Sequence, residues 1–397
     1  MKKIYGILTI MFSLAMFTAC ENDDTDFSDI INGGKDPEYV PKSIEFDYTS
    51  LKEPDESFDF DDDDYVENMT VFYTVEVKYD GNTATVDGDG GTIKVSVDGA
   101  HVTVNSTARN VEYILSGSSS NGSFKVYSES KLKIGLDNLT LTNPDGPAIN
   151  NQCGKSMYVE LTPGSVNKLA DGTRYVEEPG EDMKGTIFSE GQIIFNGAGR
   201  LDIEANCKNG IASDDYIVFR PGNVINVKSN VSNGVKANDG VDIRGGVLNI
   251  DIAADAGKGI NSEFDVTISG GRTTVITAGG PFIEYNDTSS CAGIKCDSTF
   301  TMTAGTVSLK STGEGGKGIN CDENLSVTGG ELNIVTTGKK DKASPKGIKA
   351  DGTIAFSGGK IYSYSKSADA IDAAEGFTFT EGYTFLNNKK NLFEITY

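Results

Sequence analysis

Short runs of alternating apolar and polar residues recur along the last two thirds of the chain. Typical ones are Val241-Asp242-Ile243-Arg244, Val266-Thr267-Ile268-Ser269 and Leu325-Ser326-Val327-Thr328, each followed by a Gly-Gly pair. Alternation at period two, rich in Val, Ile and Thr, predicts strands with one buried and one wet face. A second pattern recurs with the first: Gly, then Ile or Val, any residue, a small residue, an acid. It reads Gly210-Ile211-Ala212-Ser213-Asp214, Gly234-Val235-Lys236-Ala237-Asn238, Gly259-Ile260-Asn261-Ser262-Glu263, Gly293-Ile294-Lys295-Cys296-Asp297, Gly318-Ile319-Asn320-Cys321-Asp322 and Gly347-Ile348-Lys349-Ala350-Asp351. The steps between glycines are 24, 25, 34, 25 and 29, and a degenerate copy begins 23 residues later at Ala370. A repeat of this size marks a solenoid. Three short strands fit in one coil, and coils stack about 4.8 Å apart. The expectation is an all-β, right-handed parallel β-helix with coils of about 23–25 residues.

Stacking the copies assigns sides. The Ile or Val points inward, the next residue outward, the small residue inward and the acid outward. Cys296 and Cys321 then share one inward column, one coil apart. The outward acids Asp214, Glu263, Asp297, Asp322 and Asp351 share another, with Asn238 and Asp239 in the same line. Like charges stacked at strand spacing are unfavourable unless something positive intervenes. Lys236, Lys295 and Lys349, two residues earlier in alternate copies, supply one answer as surface ion pairs. Ca²⁺ bridging acids of adjacent coils supplies the other, because it accepts six to eight oxygens in flexible geometry. The acids outnumber the lysines, so calcium is the favoured expectation. Asp214, Asp215, Asp239 and Asp242 form the densest group and the first-choice site.

Three insertions precede Gly-Ile elements: one near residues 172–183, one around 281–290, and Lys339-Lys340-Asp341-Lys342. They are expected to project from one side and rim the acid column, as loops on a binding face do. Trp is absent, so Tyr175, Tyr216, Tyr285 and Tyr362 are the aromatic candidates for sugar contacts.

The formal net charge of −23 disfavours nucleic acid as a partner. Residues 21–65 hold 17 acids against Lys35, Lys42 and Lys52, and residues 20–65 read as a flexible, solvated tether. Before it, Lys2 and Lys3, an apolar run and Thr18-Ala19-Cys20 predict a signal peptide over residues 1–19. Small residues before Cys20 resemble a bacterial lipobox. The acids just after it resemble a surface-export signal. Both imply a lipid anchor on Cys20 in the outer membrane, exposed at the cell surface. Five cysteines remain, too few and too odd in number for a disulfide framework. His101 is the only histidine, which argues against Ser-His-Asp triads and zinc-hydrolase sites.

The order of motifs over roughly residues 80–385 resembles a bacterial family of carbohydrate-binding β-helix proteins with a pectate-lyase-like fold. The residues that carry the likeness are Tyr113-Ile114-Leu115-Ser116-Gly117, Leu136-Asp137-Asn138-Leu139-Thr140-Leu141-Thr142-Asn143, Gly146-Pro147-Ala148-Ile149, Asn167-Lys168-Leu169-Ala170-Asp171-Gly172 and Lys184-Gly185-Thr186-Ile187-Phe188-Ser189. The resemblance implies a right-handed β-helix over residues 66–397, bound calcium and affinity for polygalacturonate-like polysaccharide. Asn238 departs from the pattern, standing where other copies carry an acid. The favoured function is non-catalytic, calcium-assisted binding of an anionic polysaccharide by a monomer, with Lys236, Lys295, Lys349, Tyr216 and Tyr285 as sugar contacts. A calcium-dependent lyase with Lys236, Lys258, Lys295 or Lys349 as base is the first alternative. A structural or adhesin-like stalk is the second. Lysines that recur in a repeat read as neutralisers of the acid column, which favours binding over catalysis.

Overall fold

The computed structural model describes residues 40–53, 62–285, 287–379, 383–387 and 391–395. The expected signal peptide, Cys20 and most of the acidic stretch lie outside the described residues. The fold is an all-β parallel β-helix of about eleven turns, and its one described helical element is the short 3-10 turn Val66–Asn68.

Each regular coil contributes one strand to each of three faces. In one coil these are Asn209–Ser213 on the first face, Tyr216–Phe219 on the second and Val224–Ser229 on the third. The next coil repeats them as Val235–Ala237, Gly240–Ile243 and Val247–Ile252, in parallel register above the first. Ile211, Val235, Ile260, Ile294, Ile319 and Ile348 form one continuous inward column, fully buried. Ser213, Ala237, Ser262, Cys296, Cys321 and Ala350 stack beside it. Cys296 and Cys321 are register partners as the repeat predicts, and both are free thiols.

Both marks of the repeat have steric causes. The glycine before each Ile lies at the tight corner between the third and first faces. A Cβ on Gly318 would sit 2.3 Å from Ile334 Cγ2, and one on Gly259 would sit 2.2 Å from Val275 Cγ1. The second glycine of each Gly-Gly pair turns the chain from the second to the third face at positive φ, +75° at Gly246 and +82° at Gly330. That region favours residues without a Cβ.

The two ends are closed by antiparallel strands. Tyr73–Asp80 and Ala100–Ser106 stack in parallel on the following coil, so the solenoid begins there. Thr83–Asp87 and Ile93–Asp98 pair antiparallel on their outer edges. Tyr383–Asn387 and Asn391–Ile395 form the corresponding hairpin at the other end. Terminal layers of this kind cap sheet edges that would otherwise template further pairing.

Residues 41–53 and 62–65, assigned by composition to a solvated tether, are instead seated on the solenoid. Residues 41–53 run along the third face. Ile44 is buried against Val335, Tyr362 and Tyr364, Asp47 pairs with Arg272 at 3.1 Å, and Tyr48 lies over Arg200. Glu53 accepts the Gly246 amide at 2.8 Å. Residues 62–69 cross the second face. Met69 packs on Tyr158, Ile194 and Val218, and Glu67 pairs with Arg220 at 2.8 Å. Asp64 accepts the Tyr216 hydroxyl at 2.6 Å and pairs with Arg244. The acids that make this stretch look solvated thus meet arginines on the two faces, and a few apolar side chains anchor it.

Candidate functional site

From Asn209 onward the first face carries no comparable covering among the described residues; its earlier strands are crossed by the 172–183 insertion, where Lys125 pairs with Glu178 at 2.6 Å and with Glu181 at 2.9 Å. Its strands present two outward columns. One runs Lys236, Asn261, Lys295, Asn320, Lys349 and Asp372. The other runs Lys258, Ala292, Lys317 and Lys346, from the position before each corner glycine.

The acids stand where the repeat places them, one residue past the strand end. Their backbone amides continue the ladder, Glu263 to Ala237, Asp297 to Ser262, Asp322 to Cys296 and Asp351 to Cys321. The first insertion reaches that column in the early coils, where Gln152 Nε2 donates to Asp182 O at 2.7 Å and the Tyr127 hydroxyl donates to Glu181. The other two precede the first-face strands, on the side of the face away from the acids.

The counter-charge on the acids comes from those lysines. Lys236 pairs with Glu263, Lys349 with Asp351, and Lys295 with both Asp297 and, at 2.7 Å, Asp322. Lys184 pairs with Asp214 at 2.6 Å and with Asp182 at 2.9 Å. Burial opposes the charge on Lys295, but hydrogen bonds to Asp297 and Asp322 outweigh it and hold the amine above its ordinary value. Lys184 behaves alike with Asp214 and Asp182.

The acids are spaced one per coil, each beside a lysine, and among the described residues no three His, Cys, Asp or Glu side chains converge on a metal-sized position. The dense group also divides. Asp214 is taken by Lys184, and Asp215 accepts the Tyr216 amide at 2.9 Å. Burial, and then the charge of exposed Asp239, hold Asp215 above the usual carboxylate range. Asp242 lies on the second face, paired with Arg244 at 2.6 Å.

The aromatic candidates separate in the same way. Tyr216 is used by Asp64, Tyr362 is buried with Ile44, and Tyr175 donates to Asp171 at 2.7 Å. Tyr285 is 96% exposed, beside exposed Phe282 and Ile283, on a hairpin formed by Phe282–Glu284 and Asp287–Ser289.

Of the lysines proposed as bases, Lys236, Lys295 and Lys349 are held by carboxylates. Lys258 is lowered by burial, and its ammonium donates to Ala256 O and Ser289 Oγ, both at 2.7 Å. Lys317 and Lys346 are not among the candidates to which the Gly-Ile-acid repeat points. The signal for them was present, since Lys precedes the corner glycine at Lys258, Lys317 and Lys346.

The protein family described as carbohydrate-binding domain-containing protein matches residues 98–258, 249–338 and 312–391, which together span 98–391. Among solved structures, the polysaccharide lyase-like protein from C. thermocellum is similar, at 25% sequence identity and a TM-score of 0.47. The match covers 72% of this chain and 99% of that one. No curated protein matches. With most of its length matched to one family, the chain belongs to the carbohydrate-binding domain-containing proteins.

Proposed function

We propose that this protein holds an anionic polysaccharide along its first face without cleaving it, at the bacterial surface and anchored through lipidated Cys20. The observation that carries the reading is the pair of lysine columns on the first face from Lys236 to Lys349, which no segment covers among the described residues and which the exposed Tyr285 hairpin borders. Lys236, Lys295 and Lys349 recur on every second coil, about 10 Å apart at strand spacing. A linear polysaccharide lying along the axis, with acidic groups turned to the protein on alternate sugars, meets an equivalent lysine at each repeat. Three of the four lysines considered as bases are ion-paired with carboxylates, which suits charge recognition and not proton abstraction.

The test is calorimetric titration with polygalacturonate and with a neutral glucan, each with and without chelator. Binding of the acidic polymer that survives chelation, weakens with salt and falls in the triple variant K236Q/K295Q/K349Q is the expected result. Loss of binding on chelation would restore the calcium-assisted reading. Ultraviolet absorbance from an unsaturated uronate product would replace binding with lyase activity. Failure to bind any glycan would leave a surface stalk.

A further inference from the structure

Lys317 occupies a notch in the first face. On one side lies the base of the Tyr285 hairpin, where the Lys317 amide donates to Cys291 O at 2.9 Å. On the other lies the 338–345 insertion, tied down by the Lys342 amide on Glu314 Oε1 at 2.6 Å and by the Gly315 amide on Lys339 O at 3.2 Å. Between them the chain passes through Thr312-Gly313-Glu314-Gly315-Gly316, a five-residue connection between the longer ones of the coils on either side. Gly315 is at φ +66°, and a Cβ there would lie 2.2 Å from that of Ala343. The glycine lets the 338–345 insertion pack directly against this connection, through Ala343.

The neighbouring cations in its own column are satisfied. Lys346 pairs with Asp369 and with Asp372, the latter at 2.8 Å, and Lys258 donates to Ala256 O and Ser289 Oγ. The groups whose charges act on Lys317 are Lys258, Lys346, Lys349 and the Cys291 thiol. Lys295, on the preceding coil, is taken by Asp297 and Asp322. Glu314, in the adjoining connection, is taken by Lys339 and the Lys342 amide. Among the described residues the Lys317 ammonium has no hydrogen-bond or ion-pair partner, and three other lysines surround it. Burial, followed by the charges of Lys349, Lys258 and Lys346, lowers the amine to about 8. A part-buried cation among cations, on a face where Lys184, Lys236, Lys295, Lys346 and Lys349 are all paired with carboxylates, is an arrangement that an external anion completes.

We infer that Lys317 forms an anion subsite, which takes a single carboxylate or sulfate group of the bound polysaccharide in the notch between the Tyr285 hairpin and the 338–345 insertion. The inference rests on the proposed function for the identity of the polymer, and on the notch alone for the anion. Lys258 and Lys346 flank the bound group, and Lys317 supplies the ion pair. Anion binding raises the Lys317 amine back toward its ordinary value, so affinity falls as the pH passes about 8.

The experiment titrates wild type, K317Q and K317R with oligogalacturonate and with a sulfated oligosaccharide at pH 7 and pH 9. Lys317 side-chain resonances, assigned by difference from K317R, are followed against inorganic sulfate in parallel. The loss of one charge-assisted contact is expected to weaken binding roughly ten- to hundredfold in K317Q. K317R should retain affinity at pH 9, where wild type loses it. The oligosaccharide bound more tightly identifies the acidic group. Equal affinity and equal pH profiles in wild type and K317Q would overturn the subsite while leaving the polysaccharide reading intact. If wild type binds neither oligosaccharide, that reading fails. The subsite then stands if sulfate moves the Lys317 resonances and falls if it does not.

Discussion

The first face and the other two are built on the same core and the same repeat, yet they meet their surroundings differently. On the second and third faces, outward Arg220, Arg244 and Arg272 are answered by Glu67, Asp64 and Asp47 of the N-terminal stretch. On the first face the outward cations are lysines, answered by acids of neighbouring repeats and, at Lys317, by nothing among the described residues. Arginine suits the permanent contact, because its planar fork fixes a carboxylate in place. Lysine on a mobile stem suits an exchangeable one. The comparison separates a surface whose cations hold the N-terminal stretch in place from one whose cations are answered only within the repeats or, at Lys317, by no described residue.

The sharpest way to break it is through the core beneath the first face. Ile319→Ala removes a fully buried side chain from a continuous column and is expected to cost about 2–5 kcal/mol in urea unfolding. Gly318→Ala forces a Cβ against Ile334 and is expected to cost about 1–3 kcal/mol. Both should lower stability and polysaccharide binding together, since they displace the strand that carries Lys317.

Loosening the N-terminal stretch should separate the two properties. Met69→Ala uncovers Tyr158, Ile194 and Val218, at an expected cost of about 2 kcal/mol. Hydrogen exchange should quicken over residues 62–69, and affinity for oligogalacturonate should stay unchanged. A fall in affinity would place part of the site on the second face.

The pH dependence of stability sharpens the contrast further. The folded Lys317 amine titrates near 8, against an ordinary value of 10.5. Between these the unfolded chain binds the proton that the folded chain has released, so this residue's contribution to stability rises with pH. Without ligand, wild type minus K317M should gain on the order of 3 kcal/mol from pH 7.5 to pH 10.5. A flat difference would mean that the amine is not depressed.

The smallest effect concerns the acid column. Glu263→Gln removes one half-exposed ion pair, and stability should change by less than about 1 kcal/mol. It also frees Lys236, so affinity for an acidic polymer should rise by a few fold. A loss of affinity would mean that Glu263 contacts the ligand, directly or through a cation.

Legibility followed the kind of interaction. The register of Ile260, Ile294 and Ile319, the stacking of Cys296 on Cys321 and the position of the acids were all readable, because a periodic core sets every side chain one coil above its equivalent. Which lysine answers which acid was not readable. It depends on whether a flexible lysine reaches across coils, and Lys295 does so, spanning two acids. Tyr216 and Tyr362 looked available because nothing in the repeat says that Asp64 and Ile44 return to cover them.

The chain's own pattern of Gly, Ile, small residue and acid determines the solenoid, its inward columns and which positions face water, since each follows from strand alternation and one coil's stacking on the next. Only the tertiary structure decided which outward positions stay uncovered and which charges lack a partner. Those depend on contacts between residues far apart in sequence, such as Asp64 with Arg244 or the notch walls around Lys317, that no local period encodes.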